Sequence, residues 1–127
     1  MARKVSLKSL KRKAWNLCSR YIRTSAADSA GYVTCYTCNT RLHWKEAQAG
    51  HAIPGRGNAV LLDKDVIRPQ CYACNIARDG MHHIFSTKLI KEHGMEWWEA
   101  KLFNARRSVK LDRSNLESLI AHYEALI

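Results

Sequence analysis

Apolar residues recur every three or four positions at both ends of the chain, whereas the middle third lacks this helical period. The N-terminal pattern predicts a helix over residues 5–24, because such spacing places apolar side chains on one face. That face comprises Leu7, Leu10, Ala14, Leu17 and Tyr21. Cys18 lies beside this face, and we expect its thiol to be buried as a small hydrophobic group.

The C-terminal third predicts three further helices. A segment at 84–93 ends at Gly94, a residue typical of helix C-termini, and a segment at 95–107 follows it directly. Ser114 and Glu117 have the spacing of a capping box, which predicts the start of the last helix. Apolar residues then continue at helical spacing as far as Leu126.

The middle of the chain has the pattern of short strands separated by turns. The sequence predicts strands at 32–35, 41–44 and 49–53, a segment 66–69 that leads into the second cysteine pair, and a helix that begins near Cys74. The glycine-rich segment 54–58 predicts a flexible turn whose backbone amides could meet a phosphate. The fold class is therefore α+β. We expect a single domain over 1–127, which consists of the helix at 5–24, a core at 31–83 and a helical part at 84–127.

Two Cys-x-x-Cys pairs form the most informative motif of the sequence. Thiolates at this spacing bind zinc tetrahedrally, and four of them leave no coordination position open to a substrate. We therefore predict a structural zinc site that stabilises a loop-rich region with few periodic apolar residues. Its ligands are Cys35, Cys38, Cys71 and Cys74. Two unrelated reduced pairs are the alternative interpretation.

The cysteine content and the apolar runs indicate where the protein works. Five cysteines, four of them in tight pairs, do not resemble the disulfide framework of a secreted domain. No apolar signal segment precedes them, and no apolar run approaches the length that spans a membrane. We therefore expect a protein of a reducing cytoplasm without a membrane partner.

A formal net charge of +10 indicates a polyanionic partner. The charge is uneven, because eight Lys or Arg residues lie from Arg3 to Arg23, ahead of the first acidic residue, Asp28. We expect this basic helix and a cation in the glycine-rich turn to bind DNA. The residues are Lys4, Lys8, Lys11, Arg12, Lys13, Arg20 and Arg56. A solvated helix face without a partner is the alternative.

Three motifs in a fixed order resemble a known family: Cys-x-x-Cys, Gly-His-x-Ile-Pro from Gly50 to Pro54, and Cys-x-x-Cys-Asn ending at Asn75. This order resembles the HNH nucleases, whose ββα-metal core is often held by a four-cysteine zinc. More narrowly, the segments GYVTCYTC, LHWKEAQAGHAIPGR and QCYACN resemble phage recombination endonucleases of the NinG/Rap type. The resemblance implies a zinc-stapled HNH core flanked by the basic helix and the C-terminal helices.

The resemblance also implies the chemistry of a divalent-cation nuclease. His51 would remove a proton from the attacking water, a role that suits an imidazole because its ordinary pKa lies near neutrality. Asn75 and Asp79 would bind Mg²⁺ or Mn²⁺ through oxygen atoms, from one face of the helix after the second cysteine pair. The predicted catalytic residues are therefore His51, Asn75 and Asp79.

Two positions depart from the pattern of the relatives. Gly50 stands where relatives often place Asp or His as a further cation ligand. Gln48 or His43 is a candidate replacement, or the catalytic histidine itself binds the cation. The middle Asn of the HNH motif also has no obvious counterpart. The residues nearest to it in position are Asp65 and Asn58.

The combined prediction is an HNH endonuclease that hydrolyses phosphodiester bonds in branched recombination intermediates, such as Holliday junctions and D-loops. The phage resemblance implies that it acts in the cytoplasm of a bacterial host. Because a junction needs paired incisions, a homodimer is a further expectation, with the C-terminal helix as its candidate interface. A non-catalytic zinc module that binds nucleic acid is the rival class, and a zinc-stapled protein-interaction adaptor is a third.

Overall fold

A computed structural model describes residues 5–55 and 57–127, and within them the chain forms two small antiparallel sheets and several helices. The first sheet pairs β1 (Tyr32–Thr34) with β2 (Arg41–His43), and the second pairs β3 (Gln48–His51) with β4 (Ile67–Gln70). The predicted α+β class and the three predicted strands are confirmed, and β4 is a strand that the sequence did not predict. Two of the predicted DNA-binding residues, Lys4 and Arg56, lie outside the described residues.

Helix α1 (Leu7–Ser25) packs across the second sheet. Ser6 caps this helix, because its side chain accepts a hydrogen bond from the backbone amide of Ser9. The buried face of α1 consists of Leu10, Ala14, Cys18 and Ile22. The expected burial of Cys18 is confirmed, since its side chain has no exposed surface. Packing against Ala49 and Ile67 fixes α1 beside the end of β3.

Helix α5 (Arg113–Leu126) packs against α1 through its own apolar face. The buried residues of α5 are Leu116, Ile120 and Tyr123. The chain itself covers this apolar face with α1. A second copy could therefore contact α5 only through the side of the helix that faces away from α1.

The start of α5 also corrects the predicted capping box. The N-cap is Asp112, whose side chain accepts a hydrogen bond from the amide of Asn115 at 2.8 Å. The Asn115 side chain accepts one from the Asp112 amide in return. Ser114 and Glu117 lie inside the first turns of the helix, because the Asp-Asn pair makes the reciprocal bonds two residues earlier.

A second apolar cluster joins the helices that follow the cysteines. It contains residues of the four-residue helix α2 (Asn58–Leu61), of α3 (His82–His93) and of α4 (Met95–Ala105). The cluster consists of Ala52, Ile53, Val60, Val66, Phe85, Leu89 and Trp98. Gly94 separates α3 from α4 at a φ of +95°, as its predicted C-cap role requires. No helix within the described residues is long and apolar enough to cross a membrane.

The segment after the second cysteine pair differs from the regular helix that the sequence predicts. It is a short π-helical turn, Ala73–Ala77, followed by three residues of positive φ at positions 79–81. Asn75 lies in this turn, whereas Asp79 lies beyond its end with a φ of +53°. The predicted placement of these two residues on one helical face is therefore wrong. The left-handed residues reverse the chain into α3.

Candidate functional site

The four predicted zinc ligands converge on one point. Their sulfur atoms all lie within 4.8 Å of one another, and the Sγ atoms of Cys38 and Cys71 are 3.7 Å apart. Tetrahedral zinc with Zn–S bonds of about 2.3 Å requires sulfur atoms about 3.8 Å apart. Cys35 and Cys74 are fully buried, and the other two are half-buried. The four cysteines could therefore hold a zinc ion with little access for solvent.

Hydrogen bonds and burial shift the pKa values of the cysteine thiols in opposite directions. Burial raises the pKa of the Cys35 thiol, but hydrogen bonds from the Cys71 amide and the Thr37 hydroxyl outweigh it and lower the pKa to about 6. Burial raises the pKa of the Cys71 thiol to about 12. Zinc binds thiolates, so zinc binding at neutral pH must displace protons from part of this cluster.

His51 is the last residue of β3 and lines a cleft of about 580 Å³. Its Nε2 atom lies 3.0 Å from the carbonyl oxygen of Leu61, and its ring stacks on Trp15 with a centroid distance of 5.0 Å. A carbonyl oxygen only accepts hydrogen bonds, so in the neutral ring Nε2 carries the proton and Nδ1 keeps a lone pair. The ring is therefore fixed in the tautomer that can accept a proton at Nδ1.

A backbone carbonyl, rather than a side-chain amide, orients His51. Leu61 ends α2, and the last carbonyls of a helix have no partner within it. The two candidates for a middle Asn are engaged elsewhere. The Asn58 side chain donates to the carbonyl of Val109 at 2.8 Å, and Asp65 accepts a hydrogen bond from Lys101 at 2.8 Å. Neither residue therefore takes the place of the middle Asn beside His51.

Asn75 enters the same cleft from the π-helical turn. Its Nδ2 atom donates to Oε1 of Gln48 at 2.7 Å, which fixes the orientation of the amide and leaves Oδ1 free. Gln48 therefore positions Asn75. His43 lies on β2 with its ring against Tyr32, at a centroid distance of 5.6 Å, and does not line the cleft. Neither Gln48 nor His43 replaces a cation ligand at position 50.

The absence of a side chain at Gly50 has a steric cause. A Cβ atom built there would lie 1.7 Å from Oε1 of Gln70 and 3.1 Å from Oδ1 of Asn75. Gln70 is fully buried, and its Nε2 atom donates to Thr37 and to the Gly80 carbonyl, each at 3.0 Å. The glutamine oxygen thus occupies the space that a side chain at position 50 would enter.

Two further residues complete the wall of the cleft after the π-helical turn. Asp79 is exposed at the rim, and His82 is half-buried at the start of α3. The Nδ1 atom of His82 donates to the Ala52 carbonyl at 3.1 Å, which leaves the lone pair on Nε2. The sequence did not predict that His82 lines the cleft, because adjacent histidines that follow a glycine are more often surface residues.

The cleft thus brings together His51, Asn75 and Asp79. In the part of the chain that the structure describes, only the cysteines form a group of three or more His, Cys, Asp or Glu side chains close enough to hold one ion. A cation in the cleft would therefore depend on the Asn75 amide oxygen, on the Asp79 carboxylate and on water. Magnesium characteristically retains several water ligands when it binds proteins.

The predicted DNA-binding residues divide between faces of α1. Lys8 and Arg12 lie seven and three residues before Trp15, so they share its face of the helix. Lys13 projects away from that face, and Lys11 is half-buried beside it. The Arg20 guanidinium lies 5.9 Å from the centre of the Trp44 ring.

Comparison with known proteins gives the family of the chain. No curated protein and no solved structure matches it at a significant level. A family model described as the bacteriophage lambda NinG protein matches residues 2–127. The match extends over both cysteine pairs, the cleft and all five α-helices. The chain therefore belongs to the NinG family.

Proposed function

We propose that this protein is a metal-dependent DNA endonuclease of the HNH type that hydrolyses phosphodiester bonds. The observation that carries the proposal is the fixed tautomer of His51. Its Nε2–H group donates a hydrogen bond to the Leu61 carbonyl, which leaves the lone pair on Nδ1. His51 lines the same cleft as Asn75 and Asp79. A base and two oxygen ligands in one open cleft are the groups that metal-assisted hydrolysis requires.

His51 is the proposed general base. Its Nδ1 atom accepts a proton from the attacking water, while the Leu61 carbonyl stabilises the positive charge that the ring then carries. Stacking on Trp15 keeps the imidazole plane in place during this transfer.

Asn75 and Asp79 are the proposed ligands of a divalent cation, either Mg²⁺ or Mn²⁺. Carboxylate and amide oxygens are hard ligands that suit both ions. A cation held there would supply Lewis-acid stabilisation of the charge that develops on the phosphate and on the leaving oxygen. Gln48 orients the Asn75 amide, because its Oε1 atom accepts a hydrogen bond from Asn75 Nδ2.

The substrate class follows from the charge and from the family. Lys8 and Arg12 lie on the same face of α1 as Trp15, next to the part of that face that lines the cleft. Their positive charges support contact with a phosphate backbone. Because the sequence motifs resemble those of phage recombination endonucleases, the proposed substrate is branched DNA, such as Holliday junctions and D-loops. The proposed setting is the cytoplasm of a phage-infected bacterium, with a homodimer as the unit that makes paired incisions.

A substitution of His51 tests this proposal. The His51→Ala variant should cut a labelled four-way junction about 10²- to 10⁴-fold more slowly in Mg²⁺, because the general base is lost. His122→Ala, which changes an exposed histidine on α5, should cut at the rate of the unaltered protein. Equal zinc content and equal thermal unfolding would exclude misfolding as the cause. Unchanged cutting by His51→Ala would overturn the proposal.

A non-catalytic zinc module that binds nucleic acid is the second candidate, and Gly50 favours it. This glycine leaves the cleft without the ligand that relatives often carry, and Gln70 fills the space. Such a module would bind junction DNA and would leave it intact in Mg²⁺ and in Mn²⁺. A protein-interaction adaptor, the third class, would not retain DNA even at low salt. Binding and cutting assays on the same junction therefore separate the three classes.

A further inference from the structure

A second, smaller cleft opens beside the first. It has a volume of about 310 Å³, and it shares Trp15, Ala49 and Asn75 with the cleft of His51. Along α1 its wall continues from Trp15 through Ser19 to Arg23, at successive spacings of four residues. The two clefts therefore meet at Trp15 and Asn75. A strand that leaves the catalytic cleft on this side would pass over Arg23.

Three cations surround one aromatic ring at the edge of this second cleft. The Arg20 and Arg23 guanidinium carbons lie 5.9 Å and 5.4 Å from the centre of the Trp44 ring, and Nζ of Lys45 lies 5.9 Å from it. We name Arg20, Arg23, Trp44 and Lys45 the Trp44 cluster. Within residues 5–55 and 57–127, none of its three cations forms an ion pair with an acidic side chain.

Arg23 is held rigidly while its charge remains unneutralised. Its Nε atom donates to the Ser19 carbonyl at 3.2 Å, and Nη1 donates to the Trp44 carbonyl at 3.3 Å. These bonds leave the Nη2 amino group free. Burial and then the charge of Arg20 lower the pKa of Arg23. An anion bound here would relieve the repulsion between the two guanidinium groups, and little side-chain freedom would be lost.

We propose that the Trp44 cluster is a second phosphate site, which binds the DNA backbone away from the scissile phosphate. The inference rests on the proposed nuclease function and extends it. Arg23 lies eight residues from Trp15, which corresponds to about 12 Å along the helix. For a strand that runs along α1 from the cleft, with a rise of about 3.4 Å per nucleotide, the bound phosphate would lie about three to four nucleotides from the cut. The cluster thus holds one arm of the substrate while the cleft acts on the strand.

A neutral-phosphate scan tests the site. Each phosphate around the mapped cutting position is replaced singly by an uncharged methylphosphonate, and binding is measured in Ca²⁺ without Mg²⁺. The unaltered protein should lose affinity at a phosphate about three to four nucleotides from the cut. In Arg23→Gln that position should no longer matter, and the slope of log K against log salt should decrease by about 1. Arg107→Gln changes an exposed arginine after α4. This variant should still lose affinity at the same phosphate and should keep the salt slope of the unaltered protein.

Cutting in Mg²⁺ is measured separately, so the two proposals fail in different ways. If Arg23→Gln shows the same methylphosphonate pattern and salt slope as the unaltered protein, the second phosphate site is wrong, whether or not the junction is cut. If the loss of affinity at one phosphate is present and depends on Arg23 but no substrate is cut, the position of that phosphate is measured from the ends of the DNA segment that the protein protects in a footprint. That result supports the phosphate site and overturns the nuclease proposal.

Discussion

The cysteine cluster and the cleft of His51 lie on neighbouring segments of the chain, but they are built in opposite ways. The cluster presents four identical sulfur ligands, two of them fully buried, within 4.8 Å of one another. The cleft presents one imidazole, one amide and one carboxylate around about 580 Å³ of open space. The first arrangement could enclose a metal ion completely. The second leaves room for water and for a phosphate.

This difference is consistent with a structural role for the cysteine cluster and with the chemistry that we propose for the cleft. Cys74 and Asn75 are adjacent residues, so an ion held by the cysteines would fix the turn that carries Asn75. The cleft side chains are fixed instead by single hydrogen bonds, which His51 donates to the Leu61 carbonyl and Asn75 donates to Gln48. We therefore expect changes at the cysteines to reduce stability, and changes in the cleft to reduce activity while the fold persists.

The largest expected effect follows from removing one thiolate. Cys71→Ser should lose zinc and unfold the segment between β1 and α3, because structural zinc contributes about 10–16 kcal/mol in zinc-finger peptides, more than most domains can lose. Zinc content and thermal unfolding by circular dichroism measure this effect. Cys18→Ala, a cysteine buried between α1 and α5, should keep its zinc. A zinc-loaded Cys71→Ser protein that unfolds at the normal temperature would contradict the comparison.

A smaller effect is expected where the two regions touch, at Gly50. Gly50→Ala should lower the free energy of unfolding by about 1–3 kcal/mol, because its Cβ would displace the buried Gln70 amide from its partners. Urea unfolding measures the loss. The Gly50→Ala, Gln70→Ala double variant should lose less stability than the sum of the two single changes. Strict additivity would show that the two side chains do not compete for the same space.

The smallest expected effect is the pH dependence of zinc affinity. The pKa of Cys71 lies well above neutrality, so zinc must displace its proton, whereas the pKa of Cys35 is already about 6. When the pH drops by one unit from 7.5, zinc affinity should therefore fall by about tenfold for each thiol proton that zinc has to displace. Competition with a chromogenic chelator measures it. Mn²⁺ affinity in the cleft should change less, since the two proposed ligands, Asn75 and Asp79, bind through oxygen atoms and no thiol proton has to be displaced. Equal pH dependence at both sites would contradict the distinction.

Local sequence pattern was sufficient for the features that depend on neighbouring residues. The spacing of the cysteine pairs predicted the cluster, and the apolar period predicted α1 and the C-terminal helices. The predicted capping box failed because Asp112 and Asn115 supply the same reciprocal bonds two residues earlier. The two pairs have equivalent chemistry, so the local pattern does not choose between them.

The orientation of the cleft side chains could not be predicted, because distant backbone groups determine it. The Leu61 carbonyl lies ten residues from His51, and any residue type could supply it. The role of Gly50 likewise depends on Gln70, which lies opposite it only after β3 and β4 have paired. The stacking of Trp15 on His51 requires α1 to cross the sheet. These contacts arise from tertiary structure and leave no local motif.

The most direct test of the difference between the two regions is to locate manganese in crystals of the zinc-loaded protein. Anomalous scattering at the manganese edge distinguishes Mn²⁺ from zinc. We predict one zinc peak among the four cysteines and a separate manganese peak at the Asn75 and Asp79 oxygens, in the cleft of His51. Asn75→Ala should weaken the manganese peak and leave the zinc peak unchanged. A manganese peak only at the cysteines, or none in the cleft at saturating Mn²⁺, would contradict the account.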